Sequence, residues 1–560
     1  MSHVPARSAA ALAALMMALV VQGPGLQASA PAGDAATRLA QPAGSPTLAA
    51  SSTSVAHVLN RLTYGPRPGD LARVQRMGIE TWLDEQLHPE RIANRALEAR
   101  LAGFVTLTLD ANTLFRDYHE PAQLERRARQ REAAAQPADS APAPVAAAAG
   151  PGGPLRRELS PAQQKDRQVI AEMEQARLLR AVYSERQLEE VLVDFWFNHF
   201  NVFAGKGPTR AYVTAFERDA IRPYVLGSFR QMLEAVARSP AMLFYLDNWM
   251  NTDPDTDGRR MPLARNVPQR SQRAGVRQTQ TRGLNENFAR ELLELHTLGV
   301  DGGYTQEDIV NVARAFTGWT FRPRQDARFQ FVPVLHDEGT KTVLGHTIAA
   351  GGGIDDGRRV LDILVAHPST ARFIATKLAQ KFVSDSPPVA LVERAAATFT
   401  RTRGDLREVT RVIVISPEFL APEAWRAKVK TPLEFVASAV RATGADVRTA
   451  LSLARTLGNL GMPLYFCQPP TGYDETGDTW VSSGALVARM NFALELGGNR
   501  LRGVSLPAAR ATDVGDLREQ LIDTALEGTV SDATRATLAR ATTPDQVVAL
   551  AIGSPEFQRQ

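Results

Sequence analysis

In the stretch "NENFARELLELHTLGV", residues 285–300, Asn287, Arg290, Glu291, Glu294 and His296 fall within three helical turns. At about 100° per residue, Asn287, Arg290, Glu291 and Glu294 share one stripe, while Leu284, Phe288, Leu292, Leu293, Leu295 and His296 take the remainder. Two readings fit this amphipathic pattern. In one the stripe faces water and Arg290 makes an ordinary i, i+4 pair with Glu294. In the other it is buried against a second element, and two carboxylates one turn apart divide acid and base roles, or share a divalent metal ion with Asn287 assisting. The spacing differs from the Glu-x-x-His of di-iron helices, because Glu294 stands three after Glu291 and Thr297 three after Glu294. A metal would need ligands from elsewhere.

His199, in "DFWFNHFNVF", is one source of such a ligand. It lies in line with Leu188, Val191, Leu192 and Phe195, so it is either a satisfied core histidine or a buried group for ligation or proton transfer. Asn198 and Asn201 flank it and point away. His336 and Asp337 sit at a turn with Lys341 just beyond, where an aspartate shapes the turn or an adjacent His-Asp pair supplies metal ligands. "DPDTDG", residues 253–258, begins like a calcium loop, but its twelfth position is Ala264, which rejects an EF-hand. HExxH, GxSxG, Walker A and strand-borne GxGxxG sequences are absent, so zincin, serine hydrolase, NTPase and dinucleotide readings lose their usual support.

These residues need a scaffold, and the chain has material for one: 560 residues with 44% hydrophobic side chains can bury a large core. The expected fold is mainly α, a single large multi-helix domain over residues 55–560 with a small β-hairpin and disordered insertions. "SERQLEEVLVDFWFNHFNVF", "TARFIATKLAQKFVSD" and "TPLEFVASAVRATG" place apolar residues at helical spacing. Thr305 with Asp308 resembles a capping box, and Ser416-Pro417-Glu418 sets a cap before a first-turn proline. In "RFQFVPVLHDEGTKTVLG", Phe329 and Phe331 alternate before a turn at Asp337, Glu338 and Gly339 into a second β-like run, the expected hairpin. "SPEF" occurs at Ser416 and again at Ser554, too little for a repeat architecture.

Residues 1–30 read as a signal peptide, with Arg7, an apolar run at 10–21 and a small-residue "ASA" at 28–30. An Ala/Pro/Ser/Thr-rich tether follows to residue 54, and residues 134–154 form a low-complexity insertion; both read as disordered. The apolar run is too short for a good transmembrane helix, so the expectation is an exported protein, periplasmic or extracellular, with no membrane anchor after processing. The single Cys467 rules out an internal disulfide and CxxC metal or haem sites. A net charge of +4 selects no partner, but residues 258–284 carry Arg259, Arg260, Arg265, Arg270, Arg273, Arg277 and Arg282 with no acidic residue. That loop is either solvated or holds a polyanion such as an anionic glycan. No aromatic residues interleave, which argues against nucleic acid.

Together, "HVLNRLTYGPRPGDL", "FWFNHFNV", "SPAMLFYLDN", "NENFARELLELHTLGVDGGYTQEDIVNVARAFTGWTF", "LHDEGTKTVLG", "HPSTARFIATKLAQKFV" and "LGMPLYFCQPPTGY" resemble the bacterial proteins grouped as domain of unknown function 1800, over essentially the whole mature chain. The resemblance implies an exported, mostly helical protein of the cell envelope. It also implies, as a partner, a nearby-encoded exported protein similar to alkaline phosphatases and sulfatases. The low-complexity insertion and the "YFCQPPTGY" form of a Pro-rich loop depart from the family pattern. The resemblance centres on the opening helix, which sets the working-site reading there level with the solvated one. The expected activity is hydrolase-like, with Glu291, Glu294 and His199 as catalytic residues. Asn287, Arg290, Tyr304, Trp319 and Lys341 would bind substrate, and His336 and Asp337 would bind a metal. The alternative is a non-catalytic binding or assembly protein using the arginine loop and the aromatic loop around Tyr465, Phe466 and Tyr473.

Overall fold

The computed structural model describes residues 52–135, 158–256, 283–323, 326–507 and 513–560. The expected leader at 1–30, nearly all of the expected tether and of the insertion at 134–154, and the arginines at 259–282 lie outside the described residues. The fold is mainly α, and among the described residues the sheets are three antiparallel two-stranded pairs. No described helix is long and apolar enough to cross a membrane.

Two long helices set the frame, α1 (Pro161–Tyr183) and α2 (Gln187–His199). A capping box between Ser160 and Gln163 starts the first. The chain then passes through α3 (Pro240–Tyr245) to α4 (Asn287–Glu294) and α5 (Gln306–Ala315). Thr305 and Asp308 form the expected capping box of α5, which fixes where that helix begins. Downstream come α6 (Ile354–Ala366), α7 (Pro368–Phe382) and α8 (Pro432–Ala442). Every residue of α8 is buried, as its nearly all-round apolar sequence requires. Its two charged side chains are paired: Arg441 donates to the carbonyls of Gly65 and Val182, and Glu434 accepts from Lys381 at 2.9 Å.

The two "SPEF" copies do the same local job. Ser416 Oγ accepts from the Phe419 amide at 3.1 Å, and Ser554 Oγ from the Phe557 amide at 3.3 Å, while both phenylalanines are buried. The motif is a serine-capped turn that drives a phenylalanine inward.

The small β component differs from expectation in its pairing. β1 (Trp319–Arg322) pairs with β2 (Asp326–Phe331), and β3 (Lys341–Val343) pairs with β4 (His346–Ile348). Residues 337–339 therefore join two hairpins and do not form the tip of one. Trp319 heads β1 and is already buried, so β2 finds its partner upstream.

Candidate functional site

A chain of amides fixes the start of α4. Asn251 Oδ1 accepts from the Asn285 amide at 2.8 Å, and Asn285 Oδ1 accepts from the Asn287 amide at 3.0 Å. Asn285 and Asn287 also donate through Nδ2 to the carbonyls of Asp247 and Leu246, at 3.2 and 3.3 Å, tying α4 to the end of α3. Phe288, Ala289, Leu292 and Leu293 face the core. Asn287 itself is exposed, and Arg290, Glu291 and Glu294 are half-buried.

Arg290 does not make the expected pair with Glu294. It reaches back to Glu286 Oε2 and across to Gln306 Oε1, both at 3.2 Å, and Gln306 closes the triangle on Glu286 at 2.7 Å. Helical side chains lean towards the helix N-terminus, which favours the earlier partner. Glu294 Oε2 instead accepts from the Tyr304 hydroxyl at 3.2 Å. The Glu291 carboxylate makes no hydrogen bond or ion pair with any described residue. Burial, together with the neighbouring Glu294, raises its pKa above the ordinary glutamate value against the opposing Arg290. Burial and the same two carboxylates raise that of Tyr304. The corner thus holds two carboxyl groups in unequal environments, one hydrogen-bonded and one free.

His336, Asp337 and Lys341 come together in a different place. His336 Nδ1 donates to the Thr317 carbonyl at 2.8 Å, and its Nε2 lies 3.2 Å from Asp356 Oδ2. Lys341 Nζ donates to the same Asp356 oxygen at 2.7 Å and to the carbonyls of Gly339 and Asp337. The Asp337 carboxylate takes Arg314 bidentately, at 2.7 and 3.1 Å, and the Gly339 amide at 2.8 Å. Burial pushes its pKa up, yet these bonds hold it below the usual range. Both His336 nitrogens, the Lys341 ammonium and the Asp337 carboxylate are engaged. It is anchored at Arg314, whereas the Glu291 corner meets α5 at Gln306; the helix rise separates those two positions by about 12 Å.

His199 joins neither group. Its Nε2–H donates to the His296 carbonyl at 3.1 Å, while Nδ1 is buried without a partner. Burial, Lys377 and His296 push its pKa well down, so the ring is neutral. Trp319 is 0% exposed, between Phe316 and Phe329, with ring centroids at 4.8 and 5.1 Å. Gly357 makes room for it, since a Cβ there would lie 2.7 Å from the indole. The sequence candidates thus fall into two groups, Glu291, Glu294, Asn287, Arg290 and Tyr304 at one corner and His336, Asp337 and Lys341 at the other, with His199 and Trp319 in neither.

A second constellation went unread. Glu190, Asp194, Asn198 and Asn201, spaced four, four and three apart, form a polar stripe along and just beyond α2. Asn201 donates to the carbonyls of Cys467 and Pro469 at 3.0 and 2.7 Å, clamping the Pro-rich loop. Asp194 accepts from Arg177 at 3.2 Å, and Arg177 donates to Glu217 at 3.0 Å. Burial raises Asp194 to about 6 despite Arg177. For Glu217, burial is outweighed by Arg177, Arg222 and Arg180, and its pKa falls to about 2. Arg177, Asp194, Asn198 and Asn201 border a cavity of about 20 Å³, also lined by Tyr465, Cys467 and Tyr473, with room for a single water molecule. The i, i+4 recurrence of polar residues on an otherwise apolar helix was the available signal. Tyr465 hydroxyl donates to Glu217 at 2.7 Å and Tyr473 hydroxyl to the Pro463 carbonyl at 2.7 Å; Tyr465 is buried, while Phe466 and Tyr473 are both partly buried.

The donor set does not fit a divalent cation. Among the described residues no three His, Cys, Asp or Glu side chains converge as ligands would. Glu291 and Glu294 stand alone as neighbouring carboxylates, and the oxygens of Asp337 are taken by Arg314 and Gly339.

A helical scaffold with minor hairpins and a carboxylate-bearing helix–turn–helix at residues 287–315 defines the class of protein. The chain belongs to the family described as "Protein of unknown function (DUF1800)", whose model matches residues 57–559. No curated protein and no solved structure matches it.

Proposed function

We propose that this chain is a hydrolase-like enzyme of the bacterial cell envelope, exported through its N-terminal leader, with Glu291 and Glu294 as an acid–base pair. The observation that carries this reading is their inequality. Glu291 is half-buried, free of described partners and raised in pKa, which suits a proton donor. Glu294 is steadied by Tyr304, which suits a base. In the hydrolytic step Glu294 takes a proton from water as the water oxygen bonds to the electrophilic centre. The bond to the leaving oxygen breaks, and Glu291 passes that oxygen its proton. Arg290, held by Glu286 and Gln306, and Asn287 at the helix start would position substrate. An exported phosphatase- or sulfatase-like protein encoded nearby is the proposed partner.

The test is hydrolysis of p-nitrophenyl esters, phosphates, sulfates and glycosides by the purified protein, beside Glu291→Gln and Glu294→Gln. Turnover of at least one class, lowered about 10²-fold or more in each variant, is expected for acid–base groups. Turnover that persists unchanged in Glu291→Gln overturns the assignment.

A further inference from the structure

Beside the Glu291 corner lies a group of half-exposed aromatic rings. Phe244, near the end of α3, stacks on Trp249 with centroids 5.7 Å apart and planes 11° from parallel. The turn between them is made at Asp247, whose φ of 62° doubles the chain back. Phe203 and Phe466 form an edge-on pair at 6.2 Å. All four rings are only partly buried. Glycines let the chain pass close to two of them: a Cβ at Gly207 would stand 2.9 Å from Phe244, and one at Gly205 would overlap Phe203.

These rings and the carboxylates belong to one cross-bonded unit. Lys206 donates to the Tyr245 carbonyl at 2.6 Å and to Asp247 at 2.8 Å. Tyr245 hydroxyl donates to the Gln468 carbonyl at 2.7 Å, and the Ala204 amide to the Tyr465 carbonyl at 3.0 Å. Asn287 closes the unit on Leu246. Tyr245 is also within electrostatic reach of Glu291, since after burial and Cys467 that carboxylate is a further cause of its raised pKa.

From this we infer that the substrate is a glycan chain, neutral or built from N-acetylated sugars, whose rings lie on Phe244, Trp249 and Phe466 while its hydroxyls meet the Glu291 corner. The inference rests on the acid–base reading of that corner. A pyranose presents flat C–H faces that gain dispersion against aromatic rings and an edge of hydroxyls that needs donors and acceptors. The unit offers both, side by side, as carbohydrate recognition needs and as a purely apolar ligand does not. Charge then selects among glycans. On the described rim Lys206 is paired with Asp247 and Arg290 with Glu286, so it offers no unpaired cation to hold the carboxylates of a polyuronate.

Affinity electrophoresis of the full chain in gels containing hydroxyethylcellulose, glycol chitin or alginate tests this. The expected result is retardation by one or both neutral polymers, at least ten-fold weaker in Phe466→Ala and in Phe244→Ala. Should Phe244→Ala fail to fold, tryptophan fluorescence replaces it: chitohexaose should protect wild type from acrylamide quenching more than it protects Trp249→Phe. Retardation by alginate alone, by no polymer, or undiminished in Phe466→Ala overturns the glycan. If hydrolysis that depends on Glu291 survives that result, the acid–base pair stands and the substrate class falls. Glycol chitin bound with every tested bond class left intact has the reverse meaning.

Discussion

Asn198 holds both ends of one residue in the Pro-rich loop: its Oδ1 accepts from the Tyr473 amide at 2.7 Å and its Nδ2 donates to the Tyr473 carbonyl at 2.8 Å. Nδ2 also reaches Glu475 at 3.1 Å, so one amide on α2 sets the course of the chain from 473 to 475. Gly472 is part of the same fit. It has φ of +76°, and a Cβ there would lie 2.4 Å from the Asn198 carbonyl oxygen.

Asn198→Ala removes the amide while leaving the Tyr473 peptide where it is. A loss of about 1–3 kcal/mol is expected, the cost of stranding buried backbone groups. Gly472→Ala should cost at least as much, from contact and from backbone conformation together. Urea unfolding reads both values, and hydrogen exchange should show the loss of protection centred on residues 463–475. Exchange that stays unchanged there would separate the loop from the clamp.

Asp356 is the one carboxylate shared by Lys341 and His336, both fully buried at their side chains. Asp356→Ala leaves the buried Lys341 ammonium with only the more distant Asp337 carboxylate, at 3.7 Å, and about 3–5 kcal/mol of stability should be lost. Lys341→Met combined with Asp356→Leu removes both charges and should cost much less than the two single changes added together. A double-mutant cycle in urea measures the coupling; additive losses would mean the pair acts through separate contacts.

Acid should weaken the fold in two windows. His296 is held at about 3 by burial and Lys377, against 6.5 when free, so the unfolded chain binds more protons between those values. Stability from this group is present above 6.5 and is lost as pH falls towards 3. Glu217 and Glu434 sit at about 2 against 4.5, because their cationic partners outweigh burial, and that stability is lost as pH falls from 4.5 to 2. Asp194 works the other way. Raised to about 6 from 3.8, it makes the fold relatively more stable as pH drops through that interval. Asp194→Asn should therefore steepen the loss between pH 6 and 4, as followed by denaturant midpoints at half-unit steps. A shallower profile than wild type would reverse the sign assigned to Asp194.

The helical scaffold was legible because the apolar residues of "TPLEFVASAVRATG" and the caps at Thr305 and Ser416 are local signals, and each forms as written. Strand pairing was not, since β2 could go to either neighbour and the choice depends on Trp319 being packed behind it. Helix geometry also put Arg290 in line with Glu294, but it could not show that Tyr304 would occupy Glu294 or that Glu286 and Gln306 would take the guanidinium. His336, Asp337 and Lys341 are adjacent in the chain, and their partners Arg314 and Asp356 come from separate helices that no local pattern links to them. The clamp at Asn198 and Asn201 is non-local too; the polar stripe announced it without naming what it would hold.

A free carboxyl kept partly buried costs stability, and this separates Glu291 from a packing residue. Its folded pKa lies above the unfolded 4.5, so the wild-type chain gives up stability as pH rises from 4.5 through the folded value. Gln at 291 keeps the shape and removes the charge and the repulsion from Glu294. The unfolding temperature of Glu291→Gln at pH 7.5 should therefore be equal to or above that of wild type, and the difference should shrink towards pH 4. A residue retained for chemistry shows this trade of stability against function. Scanning calorimetry of the two proteins at both pH values provides the comparison. A variant less stable than wild type at pH 7.5 would mean that Glu291 holds a favourable structural contact, and the acid–base pair would lose the observation on which it stands.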